Sequence, residues 1–285
     1  MKEIIKEISK IFPDELYLKI KYFIKLKRRL NLKNPSAFSE KLQWLKLNDR
    51  KDIYTTMVDK YEVKKYVSDI IGDEYIIPTI GIYNSFEEID FDKLPNRFVM
   101  KCTHDSGGLV ICKDKSNINM SEARKKINNC LKRNYYYGGR EWPYKNVEPK
   151  IIIEEYMEDN NNISMRDYKF FCFDGKPKMM YISEGLENHS TASMSFFDMN
   201  FKLSECKRKD YKLLNYLPNK PKTFEKMKKL SAILSKGIPH VRVDWYEING
   251  RLYFGELTFY TCSGFIMFED EKWDKMIGDW ITIKK

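Results

Sequence analysis

The chain has 285 residues, of which 42% are hydrophobic and 14% aromatic, so it can bury one large core or two smaller ones. This composition excludes a disordered chain, and no apolar run approaches the ~20 residues that a membrane-spanning helix needs. The net charge of +10 leaves nucleic acid, an anionic membrane surface and anionic small molecules open as partners.

The first 34 residues predict basic amphipathic helices. They contain ten Lys or Arg against four Asp or Glu. Apolar residues recur with helical spacing in "IIKEISKIF" and again in "DELYLKIKYFIKLKRRL". One face of the second segment carries Leu16, Ile20, Phe23 and Ile24. We expect either an extension packed on the body of the protein or a basic surface for a membrane or a partner protein.

The remainder of the chain combines short strands with separate helices. Helices are predicted in "SAFSEKLQWLKLND", "VDKYEVKKYVSDIIG", "SEARKKINNCLKRN" and "KTFEKMKKLSAILSKG". Hairpins are predicted around Asp174-Gly175 and Asn249-Gly250, because both dipeptides favour tight turns between strands. Antiparallel hairpins with separate helices predict an α+β fold and not a doubly wound sheet.

The six cysteines, at positions 102, 112, 130, 172, 206 and 262, form no CxxC pair. Because no signal peptide is recognisable either, we expect free thiols in a reducing cytosol. Cys102, His104 and Cys112 lie close together in sequence, but no second ligand pair accompanies them. Ordinary hairpin residues are therefore favoured over a zinc site.

The segment "RFVMKCTHDSGGLVICKDK" predicts a strand, a glycine-containing loop and a second strand. Lys101 lies at the end of the first strand. The loop that follows suits a nucleotide, because the backbone amides of Ser106, Gly107 and Gly108 can surround phosphates that the ammonium group neutralises. An ordinary hairpin with a Gly-Gly turn accounts for the same residues.

Adjacent carboxylates interrupt the apolar strand in "PKIIIEEYM". Because a strand alternates its faces, Glu154 and Glu155 should point to opposite sides, and at least one needs a polar partner or solvent. The backbone near Tyr156 and Met157 is a candidate for lining an adenine pocket. A strand that simply meets solvent is the alternative.

The hairpin "HVRVDWYEINGRLYFGELTF" carries charges in steps of two along apolar strands. Arg242, Asp244 and Glu256 should therefore share one face. Two inward carboxylates repel unless a cation lies between them, and magnesium suits carboxylate oxygens. Arg242 would then hold a phosphate or stabilise developing charge. A structural salt bridge between Arg242 and Glu256 is the alternative.

The order and spacing of these segments resemble the ATP-grasp superfamily. Longer motifs, "NPSAFSEKLQWLKLNDR", "DYKFFCFDGKPK" and "RVDWYEINGRLYFGELTF", are similar to its teichuronopeptide-biosynthesis, or TupA-like, branch. The resemblance implies an ATP-grasp fold with two α+β subdomains whose antiparallel sheets clasp the nucleotide. The expected limits are 1–56 for an N-terminal helical extension and 57–285 for the ATP-grasp domain, divided into 57–155 and 156–285.

The resemblance also implies roles for individual residues. The residues expected to bind ATP are Lys60, Lys101, Ser106, Gly107, Gly108, Glu154, Glu155, Tyr156, Met157, Asp167 and Lys169. The expected ligands of Mg²⁺ are Asp244, Glu256 and Thr258, the last in place of the Asn that is usual in the superfamily. The expected catalytic residues are Arg242, Lys101 and His104. Asp167 and Lys169 alternatively pair only with each other.

The histidines leave the general base open. His104 and His240 are the nearest candidates, although a neutral histidine that supports a loop is the commoner case. His189, in "GLENHSTA", lies in a polar loop that is a candidate cover for the substrate.

The function implied by the resemblance is an ATP-dependent carboxylate–amine ligase that works through an acyl phosphate. Its place would be bacterial surface polysaccharide biosynthesis, with a uronic acid or similar carboxylate and an amine or amino acid as substrates. We expect a cytoplasmic protein without specific nucleic-acid binding, whose basic N-terminal helices contact the inner membrane face or a pathway enzyme.

Two other functions stay open from the sequence. A glycosyltransferase of the same pathway would need a DxD metal motif, and Asp90-Phe91-Asp92 stands in a polar, loop-like segment. A basic binding module with a vestigial ATP site would use "KRNYYYGGREW", which interleaves basic and aromatic residues.

Overall fold

The computed structural model describes residues 10–159, 165–185 and 192–283. Residues 4–9 of the first predicted helix, and His189, lie outside the described residues. The helices are α1 (Asp14–Leu26), α2 (Phe38–Asn48), α3 (Ile53–Val58), α4 (Glu62–Ile71), α5 (Met120–Leu131), α6 (Tyr136–Gly139), α7 (Phe224–Leu234) and α8 (Lys272–Asp279). The strands are β1 (Thr79–Tyr83), β2 (Phe98–Cys102), β3 (Leu109–Cys112), β4 (Ile151–Glu155), β5 (Asp167–Phe173), β6 (Lys176–Glu184), β7 (Ser193–Asp198), β8 (Val241–Ile248) and β9 (Arg251–Thr258).

The chain divides into two compact units. The first consists of Met1–Arg50 together with Asp159–Lys285, and the second is Lys51–Glu158. Each unit contains one antiparallel sheet with helices, which confirms the α+β class. The division into 1–56, 57–155 and 156–285 remains a prediction. Within the described residues, no helix is long and apolar enough to cross a membrane.

The unit Lys51–Glu158 contains a four-stranded sheet in the order β1-β4-β2-β3. One face of the sheet is apolar, because Phe98 and Met100 of β2 and Ile153 of β4 alternate into a core that α5 also lines. Strand alternation therefore places Lys101 and Glu154 on the opposite face of the sheet. This face therefore carries charged side chains where the other face is apolar.

The other unit contains a five-stranded sheet in the order β7-β6-β5-β8-β9. Helix α7 covers one face, where the indole nitrogen of Trp245 donates to the hydroxyl of Ser231 over 2.8 Å. The predicted turn at Asn249-Gly250 is confirmed, with both residues at positive φ as a two-residue hairpin turn requires. Because residues alternate along β8, Arg242 and Asp244 point to the face of the sheet that is opposite to α7.

Helices α1 and α2 pack in this same unit. The Phe38 ring of α2 contacts the rings of Phe171 and His240, with centroids 6.0 and 5.0 Å away. Helix α1 packs through Leu18 and Tyr22, which are fully buried. The four apolar residues that the sequence placed on one face of this helix are instead exposed: Leu16, Ile20, Phe23 and Ile24.

Candidate active site

A buried carboxylate lies between two lysines on the charged face of the four-stranded sheet. The Glu154 carboxylate forms one ion pair with Lys101 Nζ, at 2.6 Å, and a second with Lys64 on α4. Burial alone would raise the pKa of Glu154, but the charges of Lys101 and Lys64 hold it below its ordinary value. We call Lys64, Lys101 and Glu154 the Glu154 centre.

Lys101 and Glu154 were predicted from the sequence, but Lys64 was not. The opposite orientations of Glu154 and Glu155 are confirmed, because Glu154 is buried and Glu155 exposed. Lys64 was missed, although it lies in the predicted helical segment four residues after Lys60; the helix itself begins at Glu62. Burial lowers the pKa of Lys64 despite the neighbouring Glu154.

The chain beyond β4 carries the predicted adenine segment. The Tyr156 ring lies under the guanidinium of Arg97, 4.3 Å from ring centroid to carbon, and Arg97 also pairs with Glu158 at 2.6 Å. Tyr156 and Met157 are both partly exposed. The Tyr156 side chain is thus covered on one face by Arg97, while contact of the segment's backbone with adenine remains a prediction.

The loop after Lys101 is held in place by Arg133, which lies two residues beyond the end of α5. The carboxylate of Asp105 pairs with Arg133 at 2.5 Å and accepts the backbone N–H of Gly107 over 3.1 Å. Lys60 donates to the backbone carbonyl of Asp105 over 2.6 Å, so it contacts the glycine loop itself. Asp105 and Arg133 were missed because their pairing joins residues 28 positions apart in sequence.

The two glycines of the loop have different surroundings. A Cβ on Gly108 would lie 2.5 Å from Cys130 Sγ and 2.6 Å from Cys102 Sγ, so no side chain fits there. Ser106 and Gly107 are exposed at the tip of the loop. Both backbone N–H groups interact with the Asp105 carboxylate, so the phosphate-binding role expected of them remains a prediction.

The two histidines that lie within the described residues are both buried. His104 Nε2 lies 3.2 and 3.0 Å from the carbonyls of Cys130 and Arg133, and burial lowers its pKa. His240 is packed among aromatic rings, and burial lowers its pKa to about 3. These contacts favour structural support over proton transfer for both residues, so the catalytic role expected of His104 remains a prediction.

The second charged cluster is built on β8 and β9. The guanidinium of Arg242 donates to both oxygens of Asp244, from Nε over 2.7 Å and from Nη2 over 2.6 Å. The same Nη2 lies 2.9 Å from Glu256 Oε1 and 3.0 Å from Thr258 Oγ1. The prediction that Arg242, Asp244 and Glu256 share one face is therefore confirmed, and the alternative salt bridge between Arg242 and Glu256 is present.

A bulge brings Glu256 into this cluster. Val243 pairs with Leu257 and Trp245 with Phe254, so two residues of β9 face Asp244 alone. One of the two is Gly255, where a Cβ would lie 3.1 Å from the Asp244 carbonyl oxygen. The bulge could not be derived from alternation, which assumes one partner per residue.

Neighbouring β5 adds Asp167 and Lys169 to the cluster. Lys169 Nζ donates to Asp244 Oδ2 over 2.8 Å and to Asp167 Oδ1 over 3.0 Å. The alternative pairing of Asp167 with Lys169 is thus observed, and Asp244 joins it. We call these residues the Asp244 centre: Asp167, Lys169, Arg242, Asp244 and Glu256.

Burial governs the protonation of the Asp244 centre. Asp244 is fully buried, and this raises its pKa despite the opposing charges of Arg242 and Lys169. Burial opposes the charge on Lys169, but Asp167 and Asp244 hold its pKa well above the ordinary value. Tyr181, which the sequence analysis missed, accepts from Arg242 Nη1 over 3.2 Å, and its own burial raises its pKa to about 12.

The donor set of the Asp244 centre fits a magnesium ion. Asp244, Glu256 and Thr258 direct oxygens to one cationic nitrogen, Arg242 Nη2, at 2.6, 2.9 and 3.0 Å. Carboxylate and hydroxyl oxygens are ligands that hard divalent cations accept. Among the described residues, no group of three or more His, Cys, Asp or Glu side chains could hold a metal by itself. Thr258 and substrate oxygens would have to complete the coordination.

The segments behind the two alternative functions have ordinary structural roles. Asp90 caps a short helical turn, with its side chain accepting from the N–H of Asp92. In "KRNYYYGGREW", Tyr136 and Arg140 are buried, with the guanidinium 5.4 Å from the ring centroid. Neither arrangement presents the strand-end metal motif or the exposed stacking surface that these functions need.

Comparison with known proteins supports the fold. The model of the TupA-like ATPgrasp family matches residues 40–282. D-alanine–D-alanine ligase from Bacillus anthracis is 18% identical over 72% of this chain and 57% of its own, with a TM-score of 0.39. The same ligase from Helicobacter pylori is 13% identical over 87% and 70%, with a TM-score of 0.45.

Another similar structure is the ATP-grasp ligase PsnB with a minimal precursor, Mg and ADP. It is 10% identical over 78% of this chain and 57% of its own, with a TM-score of 0.41. No curated protein matches the chain. The chain spans little more than half the length of the Bacillus anthracis ligase. Because the family model covers most of its residues, the chain belongs to the TupA-like ATP-grasp family.

Proposed function

We propose that this protein is an ATP-dependent ligase that joins a carboxylate to an amine through an acyl phosphate. The observation that carries the proposal is the convergence of Asp244, Glu256 and Thr258 on Arg242 Nη2. Such a cluster would hold a divalent cation with an arginine beside it, which is what phosphoryl transfer from ATP needs.

The Glu154 centre and its loop would bind the nucleotide. Lys101 would neutralise phosphate charge beside the exposed loop residues Ser106 and Gly107. Lys64 and Glu154 would hold Lys101 in place through the shared ion pairs. The backbone of Tyr156 and Met157 would contact adenine.

Two substitution steps complete the reaction. A carboxylate oxygen attacks the γ-phosphorus of ATP, the bond to the bridging oxygen breaks, and ADP leaves. The amine nitrogen then attacks the carbonyl carbon, phosphate leaves, and the nitrogen loses a proton to give the amide. Mg²⁺, when held by Asp244, Glu256 and Thr258, would neutralise charge on the phosphate oxygens. Arg242 would stabilise the oxyanion of the second step.

The substrate class and cellular place are also proposed. The family resemblance supports a uronic acid or similar carboxylate of a bacterial surface polysaccharide or capsule, and an amine or amino acid as the second substrate. The +10 charge of the chain agrees with anionic substrates. Because ATP and magnesium are cytoplasmic, we place the enzyme in the cytoplasm.

Release of ADP tests the proposal. The protein is incubated with Mg-ATP and a panel of uronic acids and amino acids, singly and in pairs. A ligase releases ADP when both a carboxylate and an amine are present. Turnover of a sugar nucleotide without ATP would instead identify a glycosyltransferase, and binding of RNA that weakens steeply with salt would identify a basic binding module.

A further inference from the structure

Helix α1 has two apolar sides, and the fold uses one of them. Leu18 and Tyr22 are fully buried in a cluster with Leu30 and Phe265. The Tyr22 hydroxyl also forms a hydrogen bond of 2.8 Å with the Ser39 hydroxyl of α2. These contacts are sufficient to fix the helix on its unit, so the other side is not needed for packing.

The second side carries a continuous apolar stripe. Its residues and their exposed fractions are Leu16 at 46%, Ile20 at 46%, Phe23 at 56% and Ile24 at 58%. The spacing of four, seven and eight residues from Leu16 places them along one face of the helix. A contiguous exposed stripe of large side chains marks an interaction surface, whereas single exposed apolar residues are ordinary.

The surroundings of the stripe are strongly basic. Residues 10–34 contain eight Lys or Arg against two Asp or Glu. The exposed cations on and just beyond the helix are Lys19, Lys25, Lys27, Arg29 and Lys33. Most are lysines, whose long flexible side chains reach charged groups without a fixed partner geometry.

We propose that α1 docks this protein on an anionic lipid bilayer. The stripe would enter the boundary between headgroups and acyl chains, and the surrounding cations would contact lipid phosphates. Both features are those of an interfacial helix, which combines an apolar side with a basic one. The proposal goes beyond the ligase reaction and does not depend on it, because no residue of α1 belongs to the Glu154 or Asp244 centre.

Vesicle sedimentation of the full chain tests the docking surface. We expect the protein to sediment with vesicles of phosphatidylcholine and phosphatidylglycerol, and about tenfold less with phosphatidylcholine alone. Phe23→Ser with Ile24→Ser leaves the charge unchanged and should reduce the bound fraction about tenfold. The matched control is Leu213→Ser with Leu217→Ser, at leucines of the same unit that are 46% and 67% exposed.

A charge variant provides a second, independent arm. Lys19→Gln, Lys25→Gln and Lys27→Gln together should weaken sedimentation and reduce its sensitivity to salt. Equal binding to neutral and anionic vesicles, or unchanged binding in the Phe23 and Ile24 variant, would overturn the proposal. Loss of a dimer in that variant on size-exclusion chromatography, without loss of vesicle binding, would assign the stripe to a second copy of this chain and also overturn it.

Discussion

The Glu154 centre and the Asp244 centre solve the same electrostatic problem in different ways. Each buries a carboxylate and places two basic side chains on it. The Glu154 centre has two cations for one carboxylate, whereas the Asp244 centre has two cations for three. One cluster is therefore left with positive charge and the other with negative charge.

The difference in charge predicts what each centre attracts. Positive charge favours an anion such as a phosphate. Negative charge with convergent oxygens favours a divalent cation. The exposed fractions of the side chains agree with this difference. Lys101 is 27% exposed and Glu256 is 44% exposed, while Glu154 and Asp244 are buried. The buried carboxylate contacts its charged partners, and we expect the exposed side chain of each centre to contact the ligand.

Asp244→Asn should give the largest effect. An asparagine cannot supply the negative charge that a bound cation needs, so we expect ADP release to be lost while the protein stays folded. The ADP assay measures turnover, and urea denaturation checks that the variant is folded. The control is Asp270→Asn, at a carboxylate 53% exposed, which should behave like the wild type in both measurements. Unchanged turnover in a folded Asp244→Asn protein would refute the metal assignment.

Glu256→Gln separates cation binding from folding. Because this side chain is 44% exposed, the unfolding free energy without ligand should change by less than about 1 kcal/mol. A magnesium–ATP analogue at ~100 times its dissociation constant should stabilise the wild type by about 2.7 kcal/mol, and the variant should lose this stabilisation. Thermal melts measure the shift, with Glu205→Gln as the control at an 88% exposed carboxylate. A full shift in Glu256→Gln would remove this residue from the site.

The sequence predicted the members of the Asp244 centre better than their arrangement. Alternation along β8 placed Arg242 and Asp244 on one face, because the period of a strand is a local property, whereas Glu256 joins them through the bulge. The bulge at Asp244 and the contact with Tyr181 depend on pairing between strands. Such pairing has no signature within a single strand.

The Glu154 centre shows the same limit more strongly. Local pattern identified Lys101, Glu154 and the glycine loop, but not Lys64, Asp105 or Arg133. These residues come from two helices and a loop that meet only in the folded unit. The fold class was predictable because hairpin turns and helix periods depend on neighbouring residues in the sequence. The residues that hold a site in place are brought together only by tertiary contacts.

Lys101→Met tests the anion-binding half of the comparison. Removing the partly exposed cation should weaken binding of an ATP analogue about tenfold, equivalent to about 1.4 kcal/mol, while Lys64 remains paired with Glu154. Isothermal titration calorimetry measures the affinity. Lys93→Met, at a lysine of the same unit that is 84% exposed, is the control and should bind like the wild type. Equal affinity in Lys101→Met and wild type would mean that the loop does not bind phosphate.

The smallest expected effect is an opposite response of the two buried carboxylates to pH. The folded pKa of Glu154 lies below 4.5, so its contribution to stability is complete above pH 4.5 and is lost as the pH falls through the folded pKa. The folded pKa of Asp244 lies above 3.8, so its protonation restores stability as the pH falls through that higher value.

Urea denaturation as a function of pH separates these two signs. The stability difference between wild type and Glu154→Gln should shrink on acidification below pH 4.5, by at most ~1.4 kcal/mol per pH unit. Glu122→Gln, at an exposed carboxylate of the same unit, is the control and should show no such trend. A difference for Glu154→Gln that is independent of pH would mean that Lys64 and Lys101 do not lower the pKa of Glu154. The contrast between a cation-rich and a carboxylate-rich centre would then lose its energetic basis.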